Sequence, residues 1–234
     1  VNIDLIVGLV DETDDSFFTS LEQTMELEPD SITIYQLEIP RGTPLFRAIR
    51  DDGADQPSPW VTKRKRLARA FECLTEAGWT IRSAYTATRK KEHASFVYQD
   101  ALYHGADLVG IGASSFSYLD GVHYQNEASV ACYLAQLNNG ELPTKRTRVL
   151  TKAERCIREF VLQLKLGSAD ACWFRERYGI ELTDHFAEPL RTLSDRGWLQ
   201  ADSEGVTMTK AGLLRVDHLI KSFYLPEHRQ VRYA

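Results

Sequence analysis

Apolar, strand-like runs alternate with helical stretches over the first two thirds of this 234-residue chain. Residues 3–9 and 31–39 are rich in β-branched and aromatic side chains, which favour strands. Residues 79–86 and 108–111 predict two further strands, and residues 60–77 predict an amphipathic helix. Strands that alternate with helices at this spacing are typical of a parallel sheet, and near-continuous apolar strands indicate a sheet buried on both faces. The pattern therefore predicts an α/β fold.

The last third of the chain has a different organisation. A linker is expected over residues 143–150, followed by the capping-box pattern Thr151-Lys152-Ala153-Glu154, which marks the start of a helix. Further helices are predicted over residues 171–178, 185–196 and 210–223. The turn-forming run Asp202-Ser203-Glu204-Gly205 lies between two short strand-like stretches and predicts a hairpin. These elements together predict a winged-helix-like domain, so we divide the chain into residues 1–142 and 143–234.

Charge and hydropathy argue against several classes of protein. The chain carries 28 Lys and Arg against 33 Asp and Glu, a formal net charge of −5. A protein that binds nucleic acid usually presents a basic face, so this balance argues against a DNA or RNA partner. The sequence has no run of about 18 apolar residues, the length that a membrane-spanning helix requires. We therefore expect a cytoplasmic protein without a nucleic-acid or membrane partner.

The four cysteines, Cys73, Cys132, Cys156 and Cys172, are widely spaced along the chain. A metal cluster needs several thiolates that converge on one point, usually from one short loop. No pair of cysteines here has the spacing of such a loop. We predict four reduced thiols and no metal site formed by this chain.

Two segments have the composition of ligand-binding strand ends. In residues 105–117 an apolar run ends in two close glycines, Gly110 and Gly112, and small and hydroxyl side chains follow. Small residues allow backbone N–H groups to approach a ligand closely. The polar tetrad His123-Tyr124-Gln125-Asn126 comes next. The chain also starts within a strand, VNIDLIVGL, so we expect it to be part of a longer protein.

These segments, together with SITIYQLEIPRGTPL, resemble the second half of oxygen-independent coproporphyrinogen III oxidase and its radical S-adenosylmethionine (SAM) relatives. The resemblance implies the second half of a partial TIM-like barrel, followed by the winged-helix-like domain. It implies SAM as the cofactor, in one or two molecules, and a [4Fe–4S] cluster held by a CxxxCxxC loop upstream of Val1. The expected partners are the N-terminal half of the same enzyme, a small-molecule substrate and an electron donor such as flavodoxin.

The resemblance implies a set of cofactor contacts, of which Asp4 is the most specific. In the family, the aspartate at this position bonds the ribose hydroxyls of SAM. A carboxylate in an apolar strand is costly to bury without a partner, so a structural salt bridge to a lysine or arginine is the alternative. The other cofactor contacts that the resemblance implies are Ile6, Gly8, Tyr35, Gln36, Gly112, Ala113 and Ser114. Ordinary packing within the fold is the alternative for these positions.

Substrate contacts are expected from a second set of residues. His123 is the candidate catalytic residue, as a proton carrier or substrate contact beside the amide side chains of the tetrad, and a structural histidine is the alternative. The expected substrate-binding residues are Arg41, Arg82, Tyr124 and Gln125. Arginines form strong paired hydrogen bonds with carboxylates, although a solvated basic loop is the simpler interpretation. Asn126 is expected to cap the helix that follows it.

The sequence leaves three functions open. Between His93 and Gly105 it departs from the oxidases, which have an asparagine shortly after the histidine. That departure favours a tailoring enzyme that transfers a methyl or methylene group to an aromatic or heteroaromatic substrate with a second SAM. The first alternative is the oxidase itself, which decarboxylates the propionates of coproporphyrinogen III. The second is a non-catalytic haem-binding or chaperone protein.

Overall fold

The structure, a computed structural model, describes residues 1–40, 43–51, 53, 55–89 and 97–229. Its first sheet has the spatial order β1-β2-β4-β3. The strands are β1 (Asn2–Val7), β2 (Ser31–Gln36), β3 (Trp79–Ile81) and β4 (Thr86–Arg89). The helices among them are α1 (Asp14–Glu26), α2 (Pro44–Asp51) and α3 (Trp60–Glu76). The strands and helices alternate as the sequence predicts.

The prediction of a fully parallel sheet is wrong. β1 pairs in parallel with β2, but β4 is antiparallel to both β2 and β3. The single strand expected over residues 79–86 is a hairpin instead, because the Ser83 hydroxyl accepts hydrogen bonds from the backbone N–H groups of Tyr85 and Thr86. Such a short turn leaves no room for the crossover that parallel strands require.

A hydrophobic core covers one face of this sheet. Val7, Ile32 and Ile34 form a cluster with Leu21 of α1 and Leu67 of α3, and all five side chains are fully or almost fully buried. The alternate residues of β1 are exposed. The expectation that both faces of the sheet are buried is therefore wrong for this strand. One side of β1 is left available for a ligand or another part of a protein.

The middle of the chain forms a separate antiparallel sheet with the order β5-β6-β7. Its elements are α4 (Val97–Tyr103), β5 (Phe116–Leu119), β6 (Val122–Asn126), α5 (Val130–Asn138) and β7 (Thr144–Val149). The strand expected over residues 108–111 is reduced to one bridge between Leu108 and Tyr118. The linker expected over residues 143–150 is wrong, because most of it is β7, which pairs with β6.

The C-terminal part consists of short helices around a second hydrophobic core. The helices are α6 (Lys152–Leu166), α7 (Ala171–Tyr178), α8 (Leu182–His185), α9 (Ala187–Asp195), α10 (Lys210–Leu213) and α11 (Val216–Leu219). Two 3-10 turns, Ile220–Phe223 and Pro226–His228, follow α11. The capping box at Thr151 is confirmed, since Thr151 and Glu154 bond each other's backbone N–H groups.

The predicted hairpin is confirmed and gains a third strand. β9 (Leu199–Ala201) and β10 (Gly205–Met208) are antiparallel, and β8 (Ser168–Asp170) pairs with β10 on the other side. The partial barrel, the winged helix and the division at residue 142 stay predictions. Within the described residues, no helix combines the length and hydrophobicity needed to cross a lipid bilayer.

Candidate functional site

The exposed side of β1 and the matching side of β2 carry three of the predicted cofactor residues. In the parallel pairing, each of Asn2, Asp4 and Ile6 lies opposite one of Ser31, Thr33 and Tyr35. Side chains alternate between the two faces of a strand, so these six point to the same side of the sheet. We call the side defined by these six residues the open face, although Ser31 and Thr33 are buried within it and only the other four are exposed. The structure thus brings Asp4, Ile6 and Tyr35 together.

Asp4 is exposed, and the expectation of a buried carboxylate is wrong because β1 is covered on its other face only. Asn2 Nδ2 donates to Asp4 Oδ1 at 2.7 Å, while Asn2 Oδ1 accepts from Ser31 Oγ at 2.7 Å and from Thr33 Oγ1 at 3.1 Å. These bonds orient the amide and, through it, one carboxylate oxygen. No described residue forms a salt bridge with Asp4 or donates to its Oδ2. The carboxylate therefore keeps acceptor capacity for a ligand.

Tyr35 adds an aromatic ring and a hydroxyl group to the open face. It lies near the carboxyl end of β2 and is 45% exposed. Burial of the rest of the ring raises the pKa of Tyr35, and the nearby Asp4 carboxylate raises it further, so the hydroxyl stays a hydrogen-bond donor. A ring, a donor and a carboxylate on one surface suit a ligand that has both an aromatic base and hydroxyl groups.

Gly8 and Gln36 have structural roles that the sequence did not predict. Gly8 has a φ of 96°, and a Cβ there would lie 2.5 Å from the Lys63 side chain, so only glycine fits. Gln36 follows Tyr35 and points to the other side of β2, where its Nε2 donates to the Leu214 carbonyl at 3.1 Å. The structure does not bring Gln36 together with the open face. Cofactor contact by Gly8 or Gln36 stays a prediction.

Residues 110–115, which we call the clamped loop, are held in a closed shape by Asn126. Asn126 Nδ2 donates to the Gly110 carbonyl at 3.1 Å and to the Gly112 carbonyl at 3.0 Å. A Cβ at Gly110 would lie 2.3 Å from the Phe116 carbonyl oxygen, and Gly112 has a φ of 105°. The close approach and the left-handed backbone explain both glycines without a ligand.

The expectation that Asn126 caps the next helix is wrong. α5 starts after Ser129, whose hydroxyl accepts from the Cys132 N–H at 3.4 Å. Asn126 is free to hold the clamped loop because the helix begins three residues later than its own capping position would require. Cofactor contact by Gly112, Ala113 and Ser114 stays a prediction.

The polar tetrad does not form one surface. In β6, His123 lies opposite Tyr118 and Arg148, whereas Tyr124 lies opposite Ser117 and Thr147. His123 and Gln125 therefore point to one side of the sheet and Tyr124 points to the other. Successive side chains of a strand point to opposite faces, so four consecutive polar residues in one strand cannot share a face. No described hydrogen bond or ring contact joins the tetrad to the open face.

His123 lies in a half-buried, positively charged environment. Its ring centroid is 4.9 Å from that of Tyr118, and the Arg158 guanidinium lies 3.7 Å from the Tyr118 ring centroid. Burial lowers the pKa of His123, and the charge of Arg158 lowers it further. The imidazole is therefore neutral at neutral pH and is able to accept a proton. Its role as a proton carrier stays a prediction.

Of the predicted substrate arginines, Arg82 lies within the described residues. Arg82 belongs to the turn between β3 and β4, where its Nε donates to Thr88 Oγ1 at 3.2 Å. Arg41 lies outside the described residues, as does His93 with the rest of residues 90–96. Substrate contact by Arg41, Arg82, Tyr124 or Gln125 stays a prediction.

The described residues do not fit an iron–sulfur cluster. Across the described ranges, no three His, Cys, Asp or Glu side chains are grouped in a way that could hold a metal ion. Cys156 is buried, and burial raises the pKa of its thiol to about 11, which disfavours the thiolate form that binds metal. The cluster that the sequence resemblance implies needs ligands from elsewhere.

Two features of the site were missed by the sequence analysis. Asn2 orients Asp4, and the spacing of two residues in a strand already indicates that they share a face. Tyr85 Oη donates to Asp217 Oδ1 at 2.6 Å across 132 residues of sequence, and no local pattern signals such a contact.

A solved structure shows the class to which this chain is related. The chain is similar to coproporphyrinogen III oxidase from Escherichia coli, which is described as a radical SAM enzyme, with a TM-score of 0.75 and 26% identity. The similarity covers 95% of this chain and 54% of that one. The α/β fold is thereby confirmed. The solved structure to which this chain is similar is a radical SAM enzyme. No protein-family model matches the chain.

Curated relatives identify the family more closely. Oxygen-independent coproporphyrinogen III oxidase from Pseudomonas aeruginosa is 30% identical over 100% of this chain, and the Escherichia coli protein is 26% identical over 95% of it. The chain spans 54% and 51% of these two proteins, about half of each, and matches their C-terminal portion. The chain is thus similar over its whole length to the C-terminal portion of oxygen-independent coproporphyrinogen III oxidases, and the resemblance seen in the sequence is confirmed.

Proposed function

We propose that this chain supplies part of the SAM-binding surface of a radical SAM enzyme, and that the open face is that surface. The observation that carries the proposal is the Asp4 carboxylate, held at one oxygen by Asn2 at 2.7 Å and exposed beside Tyr35. A carboxylate accepts hydrogen bonds from two vicinal hydroxyl groups, such as those of a ribose. The Tyr35 ring offers an aromatic surface to an adenine.

The chain's own residues bind and orient the cofactor in this proposal. Asp4 accepts from the ribose hydroxyls, Tyr35 and Ile6 provide the apolar wall, and Asn2 keeps the carboxylate in position. When bound, SAM and a [4Fe–4S] cluster held outside this chain would supply a 5′-deoxyadenosyl radical, which removes a hydrogen atom from the substrate. The chain would need the polypeptide that forms the other half of its relatives, and an electron donor such as flavodoxin.

For the reaction, we infer oxidative decarboxylation of coproporphyrinogen III. The support is that relatives which align with 95% or more of this chain carry the name oxygen-independent coproporphyrinogen III oxidase. Methyl or methylene transfer, which the sequence alone favours, rests on the segment after His93. Part of that segment lies outside the described residues. A non-catalytic haem-binding role has no further support.

Product analysis separates these reactions. The complete polypeptide that contains this chain would be reduced anaerobically with SAM and coproporphyrinogen III. The oxidase should yield protoporphyrinogen IX, carbon dioxide, methionine and 5′-deoxyadenosine, without S-adenosylhomocysteine. Methyl transfer would yield S-adenosylhomocysteine together with 5′-deoxyadenosine, and would overturn our choice. Haem binding without any SAM cleavage would overturn the radical SAM proposal.

A further inference from the structure

The carboxyl end of the first sheet contacts residues from the far end of the chain. Tyr85, which precedes β4, lies beside Tyr35 of the open face, with 5.8 Å between ring centroids and 32° between ring planes. Tyr85 Oη donates to Asp217 Oδ1 of α11 at 2.6 Å. Lys165 Nζ, at the end of α6, lies 2.8 Å from the same carboxylate oxygen. A continuous series of contacts therefore joins the open face to the C-terminal helices.

The hydrogen bond between Tyr85 and Asp217 is of the strong kind. A hydroxyl that donates to a carboxylate at this short distance is about twice as strong as a bond between neutral groups. Burial raises the pKa of Tyr85 well above its ordinary value, and the Asp217 charge raises it further, so the hydroxyl remains a donor. Lys165 balances the negative charge that Asp217 brings to this half-buried place. The Tyr85 ring cannot turn away without breaking this bond.

The backbone on both sides of Tyr85 is also held. The Tyr85 carbonyl accepts from the Ile34 N–H at 2.8 Å, which fixes it to β2 next to Tyr35. The Ala84 N–H donates to the Lys165 carbonyl at 2.8 Å, and this bond fixes the backbone just before Tyr85 to the end of α6. Tyr85 is thus tied on one side to the strand that carries Tyr35 and on the other to the C-terminal helices.

We propose that Tyr85 and Asp217 are positioning residues of the open face. Asp217 holds the Tyr85 ring, the Tyr85 ring sets the place of Tyr35 beside Asp4, and cofactor affinity therefore depends on the C-terminal helices. The inference rests on the proposed function, since the position of Tyr35 affects affinity only if the open face binds SAM. Both residues act through Tyr35.

The test measures two properties of the complete polypeptide that contains this chain, in the variants Tyr85→Phe and Asp217→Asn. The first is the NMR signal of the Tyr35 ring in ¹³C-tyrosine-labelled protein without ligand, assigned with Tyr35→Phe. The second is the dissociation constant for SAM. Both variants should shift the Tyr35 signal and weaken SAM binding about threefold to tenfold, as expected when part of one charge-assisted hydrogen bond is lost.

A matched control comes from the C-terminal core. Burial raises the pKa of Tyr178 in this core, and the nearby Glu159 carboxylate raises it further, so Tyr178 is also a tyrosine beside a carboxylate. Tyr178→Phe should lower the melting temperature but leave the Tyr35 signal and SAM affinity unchanged. In a Tyr35→Leu background, Tyr85→Phe should have no further effect on affinity, because the ring through which it acts is gone.

The possible outcomes separate the inference from the proposed function. A Tyr35 signal that does not move in Tyr85→Phe overturns the positioning role, and so does a loss of affinity that adds fully to that of Tyr35→Leu. Unchanged affinity in Tyr85→Phe, with a clear loss in Asp4→Ala, overturns the inference and leaves the SAM site in place. If Asp4→Ala and Tyr35→Leu both bind SAM normally, the open face is not the SAM site, and the proposed function fails along with the positioning role.

Discussion

The C-terminal helices and the β5–β7 region differ sharply in how they bury their apolar side chains. In the C-terminal part, Phe160 and Phe174 are 0% exposed and belong to one large cluster. In the β5–β7 region, Ile111 is 88% exposed and Leu142 is 86% exposed, and α5 buries none of its residues. The first region buries its large apolar side chains in one core, and the second leaves many of its apolar side chains exposed.

This difference makes the β5–β7 region a candidate interaction surface. Exposed apolar patches of this kind are typical of interaction sites. On α5, Val130, Leu134 and Leu137 follow helical spacing and form an exposed apolar stripe. The Pseudomonas aeruginosa and Escherichia coli relatives are about twice the length of this chain. The other half of such a protein is the partner that we expect to cover the β5–β7 region.

The largest predicted effect is on the free energy of unfolding, and it is measured by comparing substitutions of two phenylalanines. Phe160 packs against Phe174, Phe186 and Phe223, whereas Phe116 is 65% exposed at the start of β5. Phe160→Ala should lower the free energy of unfolding by about 3–5 kcal/mol, because it opens a cavity in the core. Phe116→Ala should change it by less than about 0.5 kcal/mol. Urea unfolding of both variants measures the contrast, and equal losses would show that the β5–β7 region is as well packed as the helices.

The next effect concerns the Asn126 amide, a buried polar group that holds the clamped loop. Asn126→Ala removes the bonds to the Gly110 and Gly112 carbonyls and should cost about 1–3 kcal/mol. Hydrogen exchange in residues 110–115 should become faster. The control is Gln125→Ala, which removes only one bond of 3.3 Å to the Ser114 carbonyl. Unchanged exchange in Asn126→Ala would mean that the clamped loop holds its shape without the amide.

A smaller effect follows from His123 and depends on pH. Its pKa in the folded protein lies below the ordinary value of 6.5, so the unfolded chain binds the proton more readily. The free energy of unfolding should therefore fall as the pH drops below about 6.5, with a slope that levels off once the folded-state pKa is passed. His123→Gln should make this part of the profile flatter. A profile in His123→Gln as steep as that of the unmodified chain would assign the titration to another group.

The smallest effect is expected on the apolar stripe of α5. Leu134→Gln should change the free energy of unfolding of this chain by no more than about 0.5 kcal/mol, since the side chain is half exposed. In a polypeptide that also contains the other half of the relatives, the same substitution should cost more, because the stripe would then be buried. If Leu134→Gln leaves the free energy of unfolding unchanged both in this chain and in the longer polypeptide, the expected docking of the other half on α5 is contradicted.

Local patterns account for much of the fold and for part of the site. Alternation along a strand predicts that Asp4 and Ile6 share a face, and the same rule separates His123 from Tyr124. The capping box at Thr151 marks the start of α6 correctly. The turn at Ser83 was missed because a hydroxyl that accepts two backbone N–H groups leaves no distinctive sequence pattern.

The exposure of Asp4 and the contact between Tyr85 and Asp217 depend on tertiary packing. Whether Asp4 is buried depends on which side of β1 the helices cover, and the apolar composition of the strand does not reveal that. The carboxylate that binds Tyr85 lies 132 residues away. Only the folded chain shows that the C-terminal helices reach the carboxyl end of the first sheet.

Titration of the complete polypeptide that contains this chain with SAM tests the central claim, that the open face binds the cofactor through Asp4. Isothermal calorimetry would compare the unmodified polypeptide with Asp4→Ala, and with Asp195→Ala as a control at an exposed carboxylate in α9. Loss of a hydrogen bond to a charged group should cost about 1.5–3 kcal/mol, so Asp4→Ala should bind SAM roughly tenfold to a hundredfold more weakly with an unchanged melting temperature. A lower melting temperature with unchanged SAM affinity would make Asp4 a structural residue and contradict the account.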